Sequence, residues 1–336
     1  MRPATVAATA FITAALSLGA CVEPDPVEVS TAFVQSCEPW GCGTNGPNMG
    51  RFRFHEVNRV GVEHAGLRLD GLWKNGERYR VDVFGDQLSG YRADRPRLSR
   101  DALTGAYLRL VDGTNGEWRI FIEHVSHDVT PWHFASDGTI ETYWLRYESP
   151  GLPPGVRREL CNHPPPQGTG AGGETWLHAD EAIIFTGDRY DAATKRVTAT
   201  TAAATADWFN IACAGSVLAK MHLNRYTTAS VRPTHSTTPA ERNDLLAMYT
   251  ANVCGTGQSY TVNGTDIRWT GTNGWNAYDQ PSPAVALEGV WGDGRAQCID
   301  TFRIPANQGA FACEVPACES LEGNWFDHGT VMSGVP

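Results

Sequence analysis

The sequence lacks clusters of lysine or arginine. It has no long apolar run beyond its N-terminus and no contiguous signature of the common enzyme classes. With no basic patch and a formal net charge of −10, the chain has no electrostatic footprint for nucleic acid. Nor has it one for docking on anionic lipid by charge. Past residue 20 no segment approaches the ~20 apolar residues of a transmembrane helix. There is no Gly-x-Ser-x-Gly elbow and no His-Glu-x-x-His helix. The glycine-rich stretch at 168–173 lacks both a preceding strand and the Gly-Lys-Ser/Thr ending of a phosphate loop. No motif asks for a cofactor. A serine triad or carboxylate pair built from distant segments would leave no contiguous trace.

What is present begins at the first residues. Arg2 is followed by an apolar run from Ala4 to Leu18 and then by Leu18-Gly19-Ala20-Cys21. A charged start, ~15 apolar residues and small residues at a cut are the parts of a secretory signal. Leu-Gly-Ala-Cys resembles a bacterial lipobox, in which the cysteine thiol takes a diacylglycerol and becomes the first mature residue. Residues 1–20 are therefore read as a lipoprotein signal peptide and Cys21 as the lipid attachment site. The competing reading is an ordinary signal peptide cut near Ala20. Residues 21–36, opening Val22-Glu23-Pro24-Asp25-Pro26, suit an extended tether. This predicts a cell-envelope protein that is anchored but not inserted, on the outer membrane or cell surface in preference to the inner membrane.

Setting Cys21 aside leaves Cys37, Cys42, Cys161, Cys213, Cys254, Cys298, Cys313 and Cys318. An even set in an exported chain reads as four disulfides. The close pairs Cys37/Cys42 and Cys313/Cys318 could each close a small loop, with the other four stapling the body. Zinc is the competitor, but no C-x-x-C pair exists and export favours oxidation.

With 35 Gly, 20 Pro and 11 Trp, the composition predicts a mainly β fold with a few helices (α+β). Its sheets would be antiparallel, hairpin-rich and disulfide-stapled. Asn75-Gly76 separates Leu67–Trp73 from Tyr79–Val83. Asn115-Gly116 separates Tyr107–Val111 from Trp118–Ile122, and Asn263-Gly264 separates Ser259–Val262 from Asp266–Trp269. Asn-Gly supplies the two positive-φ positions of a type I′ turn. Thr139–Tyr147 is a further strand. The Pro/Gly-rich stretch from Pro164 and the Thr/Ala run 198–206 read as loops or linkers. Two helices are expected, near 207–223 and 239–253. The second is the better marked: Thr238-Pro239-Ala240-Glu241 has capping-box spacing with proline at the first helical position.

In order along the chain stand Trp208-Phe209-Asn210-Ile211-Ala212-Cys213, Ala219-Lys220-Met221-His222-Leu223, Thr238-Pro239-Ala240-Glu241-Arg242, Ala251-Asn252-Val253-Cys254-Gly255 and Leu287-Glu288-Gly289-Val290-Trp291. This order resembles the ADYC-domain proteins of myxobacteria and their relatives, a lipoprotein family of unknown function. At the naming motif the chain keeps alanine and cysteine but has Asn252 and Val253 between them. The resemblance implies export and an anchor and brings no reaction. It suggests residues 37–98 as an N-terminal β segment, 99–320 as the ADYC-like domain and 321–336 as a C-terminal tail.

Among chemistry-bearing groups, His124, His127 and His133 form the densest histidine set and are the only metal candidates. Residues three apart on a strand face opposite ways, so a turn would have to bring His124 and His127 together. Lys220 and His222 read as charge near a helix C-terminus. The tryptophans are core in the ordinary case, or a glycan-stacking face if exposed. The reading is a non-catalytic binding or structural module of the envelope with a protein or glycan partner. The alternative is an envelope hydrolase with a non-contiguous active site.

Overall fold

The computed structural model describes residues 47–49, 52–63, 65–131, 138–161, 181–227, 237–261, 265, 267–272 and 286–335. All of these belong to one compact unit, Val34–Pro336. The strands in chain order are β1 Asn48–Met49, β2 Phe52–Arg53, β3 Glu56–Asn58, β4 Leu67–Lys74, β5 Glu77–Phe84, β6 Gln87–Tyr91, β7 Leu98–Ser99, β8 Tyr107–Asp112, β9 Glu117–Val129 and β10 Ile140–Glu148. There follow β11 Arg158–Glu159, β12 Glu181–Phe185, β13 Arg189–Asp191, β14 Arg196–Ala199, β15 Trp208–Cys213, β16 Arg268–Gly271, β17 Ala286–Gly292, β18 Arg295–Ile299 and β19 Val331–Val335. The helices are α1 Ala202–Thr205, α2 Val217–Leu223 and α3 Pro239–Thr250. The protein is mainly antiparallel β with a few helices, as the composition predicts.

The central sheet runs β3-β15-β12-β10-β9-β8-β4-β5-β6-β7, with β11 on the flank of β10. Strands on both sides of residue 99 therefore share one sheet. A second sheet, β16-β19-β17-β18, takes its inner strand β19 from the last residues of the chain.

Two cores meet across the sheet. One is filled by Leu72, Leu108, Ile120, Ile122, Leu145, Ile184, Phe209 and Ile211. The other gathers Ile183, Phe185 and Ala212 with α2, α3 and Trp291. Strands β12 and β15 send alternate side chains into each, so they are buried on both faces.

That double burial corrects the helix expected at 207–223. Residues 208–213 form β15, paired with β12 and β3. Only Val217–Leu223 is helical, and the Ser216 hydroxyl caps it by accepting from Ala219 N–H at 3.1 Å. A strand buried on both faces carries no polar alternation, and a short apolar run of this kind cannot be told from a buried helix by its period. The helix expected at 239–253 is present as α3, with its capping box formed.

The hairpins differ in detail. At β4–β5, Asn75 and Gly76 have φ of 51° and 77°, as a type I′ turn requires. Between β8 and β9 only Asn115 has positive φ, at 62°, and the link is longer than two residues. The Asp112 carboxylate organises it, accepting from Thr114 N–H at 2.9 Å and Gly116 N–H at 2.8 Å. Glycine is needed at 116 for close approach, since a Cβ there would lie 2.7 Å from Asp112 Oδ2. Asn263-Gly264 lies outside the described residues. Its expected arms do not pair, because residues 259–261 are not a strand and β16 pairs with β19. The run 198–206, expected as a loop, contains the end of β14 and all of α1.

Among the described residues three disulfides staple the fold: Cys161–Cys213, Cys254–Cys313 and Cys298–Cys318. The small loop expected from Cys313/Cys318 is not formed. Ile299 N–H bonds Pro316 O at 3.0 Å, so the segment runs beside β18 and carries Cys318 to Cys298. Cys313 is left to meet Cys254 at the end of α3. Cys37 and Cys42 lie outside the described residues.

Candidate functional site

Four central strands present an ordered outer face. The inner row Leu72, Leu108, Ile120 and Tyr147 is buried. One residue along, the register places Trp73 opposite Tyr107, Tyr107 opposite Phe121 and Phe121 opposite Arg146. The next outer row is Gly71, Arg109, Arg119 and Glu148. Each ring meets a guanidinium: Arg109 lies 5.4 Å from Trp73, Arg119 5.4 Å from Tyr107 and Arg157 3.6 Å from Phe121. Such contacts are worth about 0.5–1 kcal/mol at exposed sites.

Carboxylates hold the arginines in place. Arg109 and Arg119 are directly opposite each other, and Glu117 bridges them at 2.7 and 2.6 Å. Burial works against ionisation of Glu117, but the two arginines outweigh it and keep the carboxyl below its ordinary range. Arg157 joins Glu123 at 2.6 Å and Glu148 at 3.3 Å. Glu159 takes Arg146 at 2.8 Å and the indole N–H of Trp144 at 2.9 Å. Trp144 remains 40% exposed. The result is a row of rings on paired strands with fixed donors and acceptors between them; Trp73 and Tyr107 are half-buried, and Phe121 is buried beneath Arg157.

A polar cluster lies where the β5–β6 turn meets β10 and α2. His222 is fully buried and stacks on Phe185 at 4.5 Å between ring centroids. Its Nε2 lies 3.2 Å from Asp86 Oδ2 and its Nδ1 lies 2.9 Å from Thr227 Oγ1. Arg225 donates to the same Asp86 oxygen at 3.1 Å. Burial alone would raise the Asp86 carboxyl, but His222 and Arg225 overcome it and hold the group low. Burial also lowers His222, with Asp86 opposing only in part. Nearby, the Tyr143 hydroxyl donates to Glu141 and accepts from Leu88 N–H at 2.7 Å. Burial pushes Glu141 up. Every one of these groups already has protein partners, which makes the cluster a pin between the β5–β6 turn and α2.

The family-type motif after α3 is also structural. Ala251 closes the helix in the left-handed region, with φ 49° and ψ 45°. Asn252 is fully buried. Its Nδ2 donates to Thr194 O at 3.3 Å, and its Oδ1 accepts from Gly257 N–H at 2.8 Å. Beside it Arg303 grips Glu288 with two bonds of 2.6 Å and donates to Met248 O at the helix end.

The candidates expected from sequence are scattered over this frame. His124 is exposed beside Trp144. His127 sits at a register shift between β9 and β10, 2.9 Å from Asp101 and 3.4 Å from Glu141. The two histidines keep different company and do not converge. His133 and Cys21 lie outside the described residues. Among the described residues no group of three His, Cys, Asp or Glu is placed to hold a metal ion, and no helix is long and apolar enough to cross a membrane. Of the tryptophans, Trp118 and Trp291 are core; Trp73 and Trp144 are on the outer face. Arg109, Arg119 and Arg157 belong to no motif that sequence reasoning singles out. Arg109 and Arg119 carry one signal, the strand alternation that turns them outward between the buried Leu108 and Leu110 and the buried Trp118 and Ile120; Arg157 carries none.

Residues 100–305 match the family described as the ADYC domain. Comparison with curated proteins and with solved structures gave no match.

Proposed function

The chain belongs to the ADYC-domain family, and from that premise we propose that it is an exported envelope module. It is lipid-anchored through Cys21, on the outer membrane or cell surface, and it binds a glycan without turning it over. The observation that carries the binding half is the pair of half-buried rings Trp73 and Tyr107, side by side across β4 and β8, with Trp144 exposed on the same face of the sheet. Sugar rings stack on aromatic faces, and their hydroxyls need donors and acceptors at the edges of those faces. The Arg–Glu pairs supply both, already ordered, which lowers the entropy cost of binding. The three disulfides support export, since such bonds persist in oxidising compartments.

Affinity electrophoresis in gels containing envelope polysaccharide tests the reading. Trp144→Ala and Trp73→Ala should each weaken retardation several-fold, in line with about 0.5–1.5 kcal/mol per aromatic contact. A double variant retarded like the unmodified protein would sink the proposal. Cys21→Ser should abolish palmitate labelling; persistence of the label would remove the anchor.

The alternative, an envelope hydrolase, draws on Asp86 and Glu141, whose carboxyls are displaced in opposite directions. Opposite displacement is one thing an acid–base pair needs; against this reading, both carboxyls are already engaged by His222, Arg225 and Tyr143. Turnover of any envelope polymer that Glu141→Gln abolishes would replace the binding reading.

A further inference from the structure

Residues 59–100 hold nine arginine or lysine side chains against six aspartate or glutamate, in a chain of formal net charge −10. Spacing along the chain does not mark them as a cluster; the pairing of β5, β6 and β7 gathers the arginines. On the outer face of that unit Arg80 stands opposite Tyr91, Asp82 opposite Ser89 and Phe84 opposite Gln87. Asp82 is shared by Arg59 at 3.1 Å and Arg97 at 3.2 Å. Arg80 lies 5.2 Å from the Tyr91 ring and, among the described residues, has no carboxylate partner. Three guanidiniums thus meet one counter-charge. The flanking charges are matched: Arg78 pairs with Asp70, and Arg92 and Arg95 with Asp94 and Glu77. Asp86, in the β5–β6 turn, is taken up by His222 and Arg225 and does not offset the excess.

The same face carries apolar groups that the fold leaves in water. Among the described residues the four most exposed large apolar side chains are Val60 at 74%, Phe84 at 73%, Val62 at 58% and Tyr91 at 48%. Phe84 and Tyr91 are on the face itself. Val60 and Val62 follow Arg59, whose contact with Asp82 brings the start of their loop to its edge. A single exposed valine needs no explanation, but exposed apolar groups gathered in one place mark an interaction site. Apolar side chains flanked by arginine are the pattern of interfacial binding, in which buried apolar area and attraction to anionic headgroups add.

We propose that this face lies against an anionic lipid surface. Phe84, Val60 and Val62 enter the headgroup boundary, and Arg59, Arg80 and Arg97 meet lipid phosphates. Tyr91 suits the same level, where its ring and its hydroxyl are both satisfied. The rest of the chain is acidic and is repelled by such a surface, so the charge distribution also orients the molecule with this face inward. A soluble polyanion would engage the arginines but leave Phe84 and the valines in water, which favours the bilayer. The face adjoins the aromatic row through Arg78, opposite Trp73, and uses none of its rings. It requires neither Cys21 nor the glycan reading, so the three are tested apart.

Vesicle sedimentation tests it, on the full chain carrying Cys21→Ser so that no acyl group contributes. The vesicles are phosphatidylcholine alone, or with roughly a third of phosphatidylglycerol to make them anionic. The N-terminus is common to every variant, so its contribution cancels in the comparisons. At low salt the protein should partition roughly tenfold more strongly onto the anionic vesicles. About 1 M salt, which shortens the screening length to about 3 Å, should abolish the difference. Arg80→Glu should remove most of the preference. Phe84→Ser should weaken binding to the anionic vesicles several-fold at unchanged charge. Arg158→Glu, the same charge change at an exposed position of β11, should leave most of the preference in place. Equal partition on the two vesicle types, equal losses in Arg80→Glu and Arg158→Glu, or undiminished binding in Phe84→Ser would each overturn the proposal. Retention on immobilised dextran sulfate that Arg80→Glu abolishes, without any vesicle preference, would assign the face to a soluble polyanion instead. If Phe84→Ser does not fold, the vesicle preference and the two arginine variants decide.

Discussion

His222 and Asp86, 136 residues apart in the chain, meet at 3.2 Å with the imidazole wholly out of water. Burial makes the folded protein bind the His222 proton less readily than the unfolded chain does. The stability tied to this group is therefore present above about pH 6.5 and is lost as pH falls below that value. Asp86, held low when folded, acts with the same sign nearer pH 4. Glu141 is raised and opposes both in the acid range. The urea midpoint should fall between about pH 7 and pH 5. In His222→Gln the midpoint should start lower, by about 1–3 kcal/mol of stability, and change less over that interval. A variant with the same pH slope as the unmodified protein would contradict the assignment.

Asn252 occupies the acidic position of the family motif, yet its side-chain amide donates to Thr194 O at 3.3 Å. Asn252→Asp removes that donor and sets a buried carboxylate against a carbonyl. The cost should be about 1–3 kcal/mol at neutral pH. It should shrink as the pH is lowered and the new carboxyl is protonated. Thermal melts at two pH values measure this directly, and a neutral or stabilising substitution would count against the geometry.

Cys254 and Cys313 join the end of α3 to the chain 59 residues on. Replacing both with alanine should cost about 2–5 kcal/mol. Non-reducing peptide maps should recover Cys254–Cys313 and Cys298–Cys318 as linked pairs. A Cys313–Cys318 peptide would show the pairing to be wrong.

Arg303 and Glu288 form a buried two-armed ion pair, and Ser333 adds a bond of 2.7 Å to the same carboxylate. Glu288→Gln should destabilise by about 3–5 kcal/mol, because it leaves a guanidinium buried without its counter-charge. The double variant Glu288→Gln/Arg303→Met should recover part of this loss, not all, since Arg303 also satisfies Met248 O. Chemical denaturation of the three proteins decides the matter. A double variant less stable than Glu288→Gln alone would mean that helix capping outweighs the ion pair.

Some features are legible in the amino-acid sequence itself. The capping box of Thr238 and Glu241, the Asn75-Gly76 turn, β10 and the excess of strand over helix follow from residues within a few positions of one another. Over such distances propensity, φ preference and hydrogen bonding act without help from the rest of the chain. The strand at 208–213, the pairing of Cys313 with Cys254, the meeting of His222 with Asp86 and the aromatic row across β4, β8 and β9 are not legible there. Each depends on which segments become neighbours, and that choice is made by burial on two faces and by sheet register. A tryptophan in sequence carries no mark of its face. Trp118 goes to the core and Trp73 to the outer row because the register of β4, β8 and β9 puts them there.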